Sequence, residues 1–302
     1  MNTKAGFVGL IGLPNAGKST LMNRLLGEKL SIVTKKPQTT RKRILGILSE
    51  EDYQIVFLDT PGLMEPKYLL QKTMRNYVEQ SVLDADILLY VFDISMPNCT
   101  ERLLSDPIVK KASSANNLVR IAIINKIDLS SSELVKDVYE KIEATNIFSE
   151  VLTISAKENF NIKPILDSLI NSLPESPKYF PDDQISDETE RFHVSEIIRE
   201  KIFGFYKEEI PYSVEVEIEE FNERENRKDF IRAAIIVERD SQKSIIIGKK
   251  GEMIKKVGSV SREEIEEFIQ RPVYLELVVK VRPKWRSDAR QLSRFGYLNS
   301  DA

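Results

Sequence analysis

The sequence predicts an α/β fold, in which a doubly wound, mostly parallel sheet is followed by a smaller α+β domain. In the first 172 residues, apolar β-branched runs alternate with segments of helical spacing, which is typical of parallel strands covered on both faces. After residue 189 the pattern changes to helix, strand, strand, helix, helix, strand. The length of 302 residues fits two domains at roughly 100–200 residues each.

The strands of the first domain are predicted from near-continuous apolar runs. They are Gly6–Ile11, Ile55–Leu58, Asp86–Phe92, Val119–Ile124 and Val151–Ile154. The helices between them are predicted at 18–27, 68–83, 101–113, 133–145 and 161–172. A four-residue turn joins Ile44–Leu48 to Tyr53–Leu58, so one edge strand is expected to be antiparallel. Ligands of such a sheet bind at the carboxyl ends of its strands.

Three prolines within eight residues, Pro174, Pro177 and Pro181, indicate a stiff, extended linker. We therefore expect a first domain over 1–173, a linker over 174–189 and a second domain over 190–302 that ends in a basic tail. The elements predicted in the second domain are helix 190–203, strands 212–221 and 230–238, helices 249–257 and 261–269, and strand 273–281.

Composition excludes several classes of protein. The longest apolar runs are far shorter than the roughly 20 residues of a membrane span, and the N-terminal segment lacks a secretory cleavage site. One cysteine and one histidine exclude an intramolecular disulfide and a Cys/His zinc site. We therefore expect a soluble, cytoplasmic chain. The net charge of −3 carries no bulk signal for nucleic acid, although residues 239–257 and 280–294 are locally basic.

A phosphate-binding loop is the strongest motif. The segment that matches G-x-x-x-x-G-K-[ST] between a predicted strand and a helix is Gly12, Leu13, Pro14, Asn15, Ala16, Gly17, Lys18 and Ser19, followed by Thr20. Glycines let backbone N–H groups wrap phosphates, the lysine supplies charge, and the serine hydroxyl joins a Mg²⁺ shell. By itself the loop leaves ATPase, kinase and GTPase open.

A second motif selects guanine. Asn125, Lys126 and Asp128 follow a strand, and a carboxylate there accepts two hydrogen bonds from the guanine ring N–H and amine. Adenine would leave that carboxylate, which is expected to be buried, unpaired at a cost in free energy. After the next strand, Ser155, Ala156 and Lys157 are expected to add backbone donors for the guanine oxygen. The two motifs together predict GTP and GDP as ligands.

A third motif, Asp59, Thr60, Pro61 and Gly62, ends another strand. Asp59 is expected to hold Mg²⁺, and the Gly62 N–H to meet the terminal phosphate. In the polar segment 30–43, Thr40 is expected to complete the metal shell, with Thr39 as the alternative. The candidate catalytic residues are Lys18, Thr40 and Gly62, and the candidate metal ligands are Ser19, Thr40 and Asp59.

With these motifs the chain resembles the TrmE–Era group of translation-factor-class GTPases. The resemblance implies that Asn15 helps to hold a K⁺ ion beside the phosphates; the alternative is that Asn15 only caps the turn. Leu63 follows Gly62 where many small GTPases carry a glutamine that orients water. A leucine cannot do so, and slow intrinsic hydrolysis or another arrangement is expected.

A G-x-x-G loop marks the second domain. Its glycines and lysines are expected to contact RNA phosphates, and the adjoining apolar face to take unstacked bases. The candidate RNA-binding residues are Ile247, Gly248, Lys249, Lys250, Gly251 and Lys255. The loop and the order of elements around it resemble a type II KH domain. In the tail, Trp285 and Phe295 either pack a C-terminal helix onto the domain or extend the RNA surface.

Taken over residues 5–297, the chain is similar to the Era family within that group. The resemblance implies a monomeric GTPase that binds a single-stranded part of the 3′ region of 16S ribosomal RNA and acts in rRNA processing and 30S subunit biogenesis. It also implies peripheral association with the inner membrane. The residues alone indicate a GTP switch fused to a reader of single-stranded RNA. The alternatives are an RNA-binding protein with an inert nucleotide domain, a membrane-signalling GTPase, and an ATP-driven kinase or helicase.

Overall fold

The computed structural model describes residues 3–115, 118–225 and 227–298. The first two and last four residues of the predicted domains therefore lie outside the described residues. The chain forms two compact units. One comprises Met1–Pro66 and Met74–Asp187, and the other comprises Lys67–Thr73 and Glu188–Ala302.

The first unit contains a six-stranded sheet, which confirms the predicted fold class. Its strands are β1 (Lys4–Gly12), β2 (Ile44–Ser49), β3 (Tyr53–Asp59), β4 (Ile87–Asp93), β5 (Val119–Asn125) and β6 (Glu150–Thr153). The strand order is β2-β3-β1-β4-β5-β6, and only the edge strand β2 is antiparallel to its neighbour. Every residue of β4 is buried, as expected for a central strand covered on both faces.

Helices cover the sheet. They are α1 (Lys18–Leu26), α2 (Leu69–Asp84), α3 (Cys99–Leu104), α4 (Pro107–Ser113), α5 (Ser132–Glu143) and α6 (Lys163–Ser172). The single helix predicted over 101–113 is wrong, because two short helices occupy that stretch. Pro107 cannot continue a helix, and the Asp106 side chain instead accepts a 2.8 Å bond from the Ile108 N–H and caps a new one.

The proline-containing segment after α6 packs on the first unit. The buried Gln54 side chain donates to the Phe180 carbonyl (2.8 Å) and accepts from the Tyr179 and Phe180 N–H groups (2.8 and 3.0 Å). The Ile47 N–H donates to the Ile185 carbonyl (2.9 Å). These bonds tie residues 174–187 to the first unit, along the stretch whose prolines predict a stiff, extended linker.

The second unit has a three-stranded sheet with helices around it. Its elements are α7 (Glu190–Phe205), α8 (Ile210–Ser213), β7 (Glu215–Asn222), β8 (Asp229–Val237), α9 (Asp240–Ile247), α10 (Glu252–Ile269), β9 (Val273–Val281) and α11 (Ala289–Arg294). β8 is central, antiparallel to β7 and parallel to β9. The core lies between this sheet and the helices α7, α9 and α10.

Two helices of the second unit differ from their predicted bounds. Residues 252–269 form one helix instead of two, because Gly258, where a break was predicted, lies inside α10. A Cβ at Gly258 would lie 3.4 Å from the Leu277 side chain, an ordinary van der Waals distance, so this glycine faces β9 without interrupting the helix. The helix α9 was not predicted.

The tail is anchored by Trp285, which is fully buried. Its indole N–H donates to the Ser213 carbonyl (2.9 Å), and its ring packs edge-on against Phe295 with centroids 5.5 Å apart. Trp285 and Phe295 therefore pack the tail onto the second unit, which is the first of the two alternatives given by the sequence. Across residues 3–115, 118–225 and 227–298, no helix combines the length and apolar character needed to cross a bilayer.

Candidate functional sites

The phosphate loop connects β1 to α1 and depends on two glycines. Gly17 has φ 98°, a left-handed conformation that disfavours other residues, and a Cβ there would lie 2.2 Å from Asn125 Nδ2. A Cβ at Gly12 would lie 2.6 Å from the Val91 carbonyl oxygen. The loop therefore lies too close to β4 and β5 for any larger residue at these positions.

Lys18 begins α1 and is buried. Its Nζ donates to the carbonyls of Gly12 and Leu13, both at 3.3 Å. Burial lowers the pKa of Lys18 to about 8, and the nearby Asp59 carboxylate only partly opposes that change. The ammonium is thus held over the phosphate loop and shielded from water. The negative charge of a bound phosphate would compensate for this loss of hydration.

Three oxygen-bearing side chains from separate segments meet beside the loop. Ser19 Oγ lies 2.9 Å from Thr40 Oγ1 and donates a 2.6 Å bond to Asp59 Oδ2. Thr39 instead bonds to Thr34 Oγ1 (2.6 Å) and the Lys36 carbonyl (2.8 Å). Of the two threonines left open by the sequence, Thr40 therefore lies with the other candidate metal ligands.

This cluster has the chemistry of a hard-cation site. The Asp59 side chain is fully buried, and its Oδ1 atom accepts no hydrogen bond within the described residues. Burial raises the pKa of Asp59. Two hydroxyls and a desolvated carboxylate form an all-oxygen donor set of the kind that Mg²⁺ takes together with water and substrate phosphates. The residues present therefore fit the predicted magnesium ion.

Asn125 links the phosphate loop to the purine-binding segments. Its Nδ2 donates to the Ala16 carbonyl (2.8 Å), while Oδ1 accepts from the N–H groups of Lys126 (2.8 Å) and Ala156 (3.0 Å). The side chain is 2% exposed, so all three bonds form away from water. We expected the Ala156 N–H to bond to the base, but it donates to Asn125 instead and so holds its own loop in place.

The remaining purine-site residues lie at the carboxyl ends of β5 and β6. The expectation that Asp128 is buried is wrong, because it lies in an exposed turn after β5. One of its carboxylate oxygens accepts a 2.6 Å bond from Ser155 Oγ. Lys126 has φ 67° and an ion pair with Asp93 at 2.6 Å. The Lys157 side chain is exposed and bonds to its neighbour Glu158. The predicted motif residues are thus brought to one edge of the sheet.

The segment after β3 runs against the phosphate loop. A Cβ at Gly62 would lie 2.5 Å from Pro14 Cα, so only glycine lets the two segments approach this closely. Thr60 Oγ1 donates to the Leu10 carbonyl (2.6 Å), and Pro61 continues the chain. Leu63 is buried in the core, with its N–H bonded to the Gly12 carbonyl at 3.0 Å. Its side chain is therefore removed from any attacking water.

Asn15 stands at the exposed tip of the loop. It has φ 63°, a conformation that asparagine tolerates better than most residues. Its Nδ2 donates to the Lys35 carbonyl (3.0 Å), which brings the backbone of segment 30–43 to the loop. Thr20 follows Ser19 in the first turn of α1.

Sequence reasoning missed two anchoring residues of α1. Asn23 donates to the Ser31 carbonyl (2.7 Å) and accepts from two backbone N–H groups of the same segment, so the polar stretch 30–43 is fastened to the helix. Arg24 donates to the carbonyls of Ala156 and Lys157 (3.2 and 3.1 Å). Helical spacing contains no signal for bonds to segments this distant in sequence.

In the second unit, the G-x-x-G segment forms a tight turn between α9 and α10. Gly248, Lys250 and Gly251 have φ values of 71°, 52° and 78°. A Cβ at Gly248 would lie 2.7 Å from the Met253 side chain. Lys249, Lys250 and Lys255 are exposed, whereas Ile247 packs against the core of the unit. The turn thus presents cations on a backbone shape that glycine permits.

Protein-family models match both units of the chain. The model of the 50S ribosome-binding GTPase family matches residues 7–126, and the KH-domain model matches residues 209–286. Among curated proteins, the chain is 44% identical to the GTPase Era of Syntrophus aciditrophicus, over 97% of this chain and 95% of that protein. It is 41% identical to the GTPase Era of Clostridium kluyveri, over 97% and 99%.

Solved structures give the same match over both units. A crystal structure of Era in complex with MgGDPNP and nucleotides 1506–1542 of 16S ribosomal RNA aligns at 37% identity with a TM-score of 0.91. The alignment covers 98% of this chain and 99% of that one. A single-residue variant of Aquifex aeolicus Era bound to GDP·AlF4⁻ aligns at 38% identity with a TM-score of 0.89, over the same shares of the two chains.

Proposed function

The chain belongs to the Era family of GTPases, and from this premise we propose that it is a GTP-dependent switch that binds 16S ribosomal RNA through its KH unit. The first unit binds GTP and GDP with Mg²⁺ and hydrolyses GTP. The second unit binds a single-stranded region of the RNA. The observation that carries the proposal is the Asn125 side chain, whose three bonds join the phosphate loop to both purine-binding segments.

Guanine recognition is assigned to Asp128, supported by Ser155. Ser155 Oγ donates to one carboxylate oxygen, which restrains rotation of the carboxylate, and we assign the other oxygen to the base. A fixed carboxylate favours guanine because the base offers two adjacent donors, whereas adenine would leave the acceptor unpaired. Lys126 and the loop of Ala156 and Lys157 complete the purine site.

Phosphate binding is assigned to the loop and to the hydroxyl cluster. Lys18 and the backbone N–H groups after Gly12 hold the outer phosphates, and the metal is held by Ser19, Thr40 and Asp59. Bound Mg²⁺ would neutralise phosphate charge during phosphoryl transfer. Because Thr40 belongs to segment 30–43 and Gly62 follows Asp59, loss of the terminal phosphate would release both segments.

Hydrolysis proceeds without a side chain from position 63, because Leu63 is a core residue. A monovalent cation is the proposed substitute for part of the missing charge. Asn15 Nδ2 donates to the Lys35 carbonyl (3.0 Å), which places that carbonyl beside the phosphate loop. The amide oxygen of Asn15 and the Lys35 carbonyl oxygen are the groups proposed to bind K⁺, once the bond between the two residues is broken. On this basis, hydrolysis in K⁺ buffer exceeds that in matched Na⁺ buffer; equal rates would remove K⁺ from the proposal.

RNA binding is assigned to the turn of Gly248 to Gly251 with Lys255. The left-handed backbone brings the chain close to an RNA strand, and the exposed lysines meet its phosphates. The related Era structure with bound 16S nucleotides supports this assignment. Through that RNA the chain would act in rRNA processing and in assembly of the 30S subunit.

The place of action is proposed from the family resemblance. We infer a monomeric, cytoplasmic protein with peripheral association with the inner membrane. Cell fractionation with and without high salt tests this inference, because a peripheral protein leaves the membrane fraction in salt. Recovery from the membrane fraction only in detergent would contradict it.

The decisive experiment changes the purine that the site accepts. In Asp128→Asn, the carboxylate becomes an amide that can donate one bond, so affinity for GTP should fall by roughly 100-fold and affinity for XTP should rise. Single-turnover phosphate release from the unaltered chain separates a GTPase from an inert nucleotide-binding unit. Competition by ATP at concentrations similar to GTP would overturn the guanine assignment.

A further inference from the structure

One buried carboxylate beside the purine site belongs to none of the sequence motifs. Asp93 is the last residue of β4, and in the parallel pair β4·β5 it is in register with Asn125. Its side chain is 6% exposed. Oδ2 lies 2.6 Å from Lys126 Nζ, which makes an ion pair between the ends of adjacent strands.

The carboxylate is fixed by bonds from its own loop. Asp93 Oδ1 accepts from the Ser95 N–H (3.0 Å) and from Ser95 Oγ (2.6 Å). The loop is in turn held to β5, because the Ile94 N–H donates to the Asn125 carbonyl (3.2 Å). Both oxygens of Asp93 are therefore committed within the protein, and the group cannot rotate toward a ligand without losing these bonds.

Lys126 is constrained from the opposite side. Its backbone is left-handed, at φ 67°, and its N–H is bonded to Asn125 Oδ1 (2.8 Å). With the main chain held in this way, the direction of the long side chain is set by the ion pair at its end. A buried carboxylate without its cation would be costly, so each partner holds the other.

We propose that Asp93 is a positioning residue for purine binding, which acts by holding the Lys126 side chain in place before the nucleotide arrives. This inference rests on the proposed function, since it takes Lys126 as part of the purine site. Asp93 itself would make no contact with the nucleotide. Its effect should therefore appear in affinity and KM, and it should vanish when Lys126 is removed.

The test is a double-mutant cycle on the full chain. Asp93→Asn keeps the shape but removes the charge, and we expect affinity for a fluorescent GDP to fall by roughly 5- to 50-fold. The KM for GTP should rise in parallel, with kcat within about twofold of the unaltered chain. In the Lys126→Met background, Asp93→Asn should produce no further loss, because the two residues act as one unit.

The control is Asp106→Asn, which neutralises another part-buried carboxylate of the same unit, paired with Arg75 at 3.1 Å. It should leave GDP affinity unchanged. Ser95→Ala gives a milder second test should Asp93→Asn fail to fold. It removes the hydroxyl bond to Asp93 Oδ1 and keeps the bond from the Ser95 N–H, so the carboxylate is held less firmly. We expect a loss of roughly two- to threefold that is also absent in the Lys126→Met background.

Two results would overturn the inference. One is a double variant in which the losses of affinity multiply, and the other is a fall in kcat with KM unchanged. The proposed purine site fails separately if Lys126→Met alone retains full affinity for GDP. If Lys126→Met weakens binding and Asp93→Asn does not, the purine site stands and only the role of Asp93 is withdrawn.

Discussion

The nucleotide site and the G-x-x-G turn use polar groups in opposite ways. Around the nucleotide site, Lys18, Asp59 and Asn125 are each less than about a tenth exposed and are held by bonds within the protein. In the turn, Lys249 and Lys250 are exposed, and the backbone alone is constrained. The polar groups of the nucleotide site are thus pre-organised before the ligand binds. The turn instead presents exposed charged side chains on a backbone of fixed conformation.

The difference reflects the ligands. The phosphates and metal of a small nucleotide are expected to meet groups that the protein has already desolvated, whereas the base is expected to meet Asp128, which is exposed and held by Ser155. A flexible RNA strand is bound through phosphates that are alike at every position, so exposed cations are sufficient and depend on salt. Substitutions in the nucleotide site should therefore cause large losses of nucleotide affinity that involve several groups at once. Substitutions in the G-x-x-G turn should cause smaller losses of RNA affinity, each in proportion to the charge removed.

The largest effect is expected from Asn125→Ala. The change leaves the Ala16 carbonyl and the Ala156 N–H buried without partners, at about 1–3 kcal/mol each, so the free energy of unfolding should fall by about 2–6 kcal/mol. GTP affinity should fall by roughly 1000-fold, because the phosphate loop and the purine-binding segments both lose the bonds that hold them to Asn125. Urea denaturation and calorimetric titration measure the two effects. Asn171→Ala, at an exposed position of α6, is the matched control.

Gly248→Asp should produce the next largest effect, and on RNA alone. The added side chain meets Met253 at 2.7 Å, in a backbone conformation that disfavours it, and places an anion facing phosphates. We expect RNA affinity to fall by roughly 30-fold in a filter-binding assay with the 3′ region of 16S RNA. Gly204→Asp adds the same charge where a Cβ meets nothing within 4 Å. A change in GTP affinity in Gly248→Asp would contradict the separation of the two regions.

A pH dependence should distinguish the buried cation of the nucleotide site from the exposed cations of the turn. The pKa of Lys18 is lowered to about 8 by burial, and phosphate charge favours the protonated amine, so binding takes up a proton above that pH. GDP affinity should be constant from about pH 6.5 to 7.5 and then fall, by up to about tenfold per pH unit above 8. Fluorescence titration at each pH measures the fall. A flat profile in the unaltered chain, or the same fall in Lys18→Met, would refute the assignment to Lys18.

The smallest effect is expected from Lys250→Ala. An exposed lysine at a phosphate contributes one released counterion, so the slope of log K against log salt should shrink by about 0.7, with a loss of only a fewfold in RNA affinity. RNA titrations at several salt concentrations measure the slope. Lys228→Ala, which removes another exposed lysine of the same unit, should leave it unchanged. A loss as steep as that of Gly248→Asp would show that this lysine reads a base.

Much of both sites could be predicted from local spacing. The phosphate loop, the Asn125 motif and the G-x-x-G turn each consist of contiguous residues whose chemistry follows from their order, and the parallel sheet places the first two at the same edge. The choice between Thr39 and Thr40 could not be made in this way. Both residues are buried neighbours, and only the fold directs one to Ser19 and the other to Thr34.

The differences between the predicted and observed elements have two causes. The break at Pro107 is local, because the proline cannot continue a helix and Asp106 caps the next one. The continuous helix through Gly258 and the bonds to segment 174–187 depend instead on what lies against the chain in space. Gln54, for example, supplies the bonds that hold Tyr179 and Phe180, although more than a hundred residues separate them. The prolines predict a stiff, extended segment, but only the fold shows that these side-chain bonds fasten its backbone to the first unit.

The class of ligand follows from local sequence, because phosphate and guanine recognition require particular residue types at short, fixed spacing. Which groups are desolvated, and which partners hold them, is established only by the packing of the folded chain. Asp93 pairs with Lys126 across two strands, Arg24 reaches the loop of Ala156, and Asp59 loses its water. The physical reason is that burial and long-range hydrogen bonds arise only when distant segments pack together, and no local pattern encodes that packing.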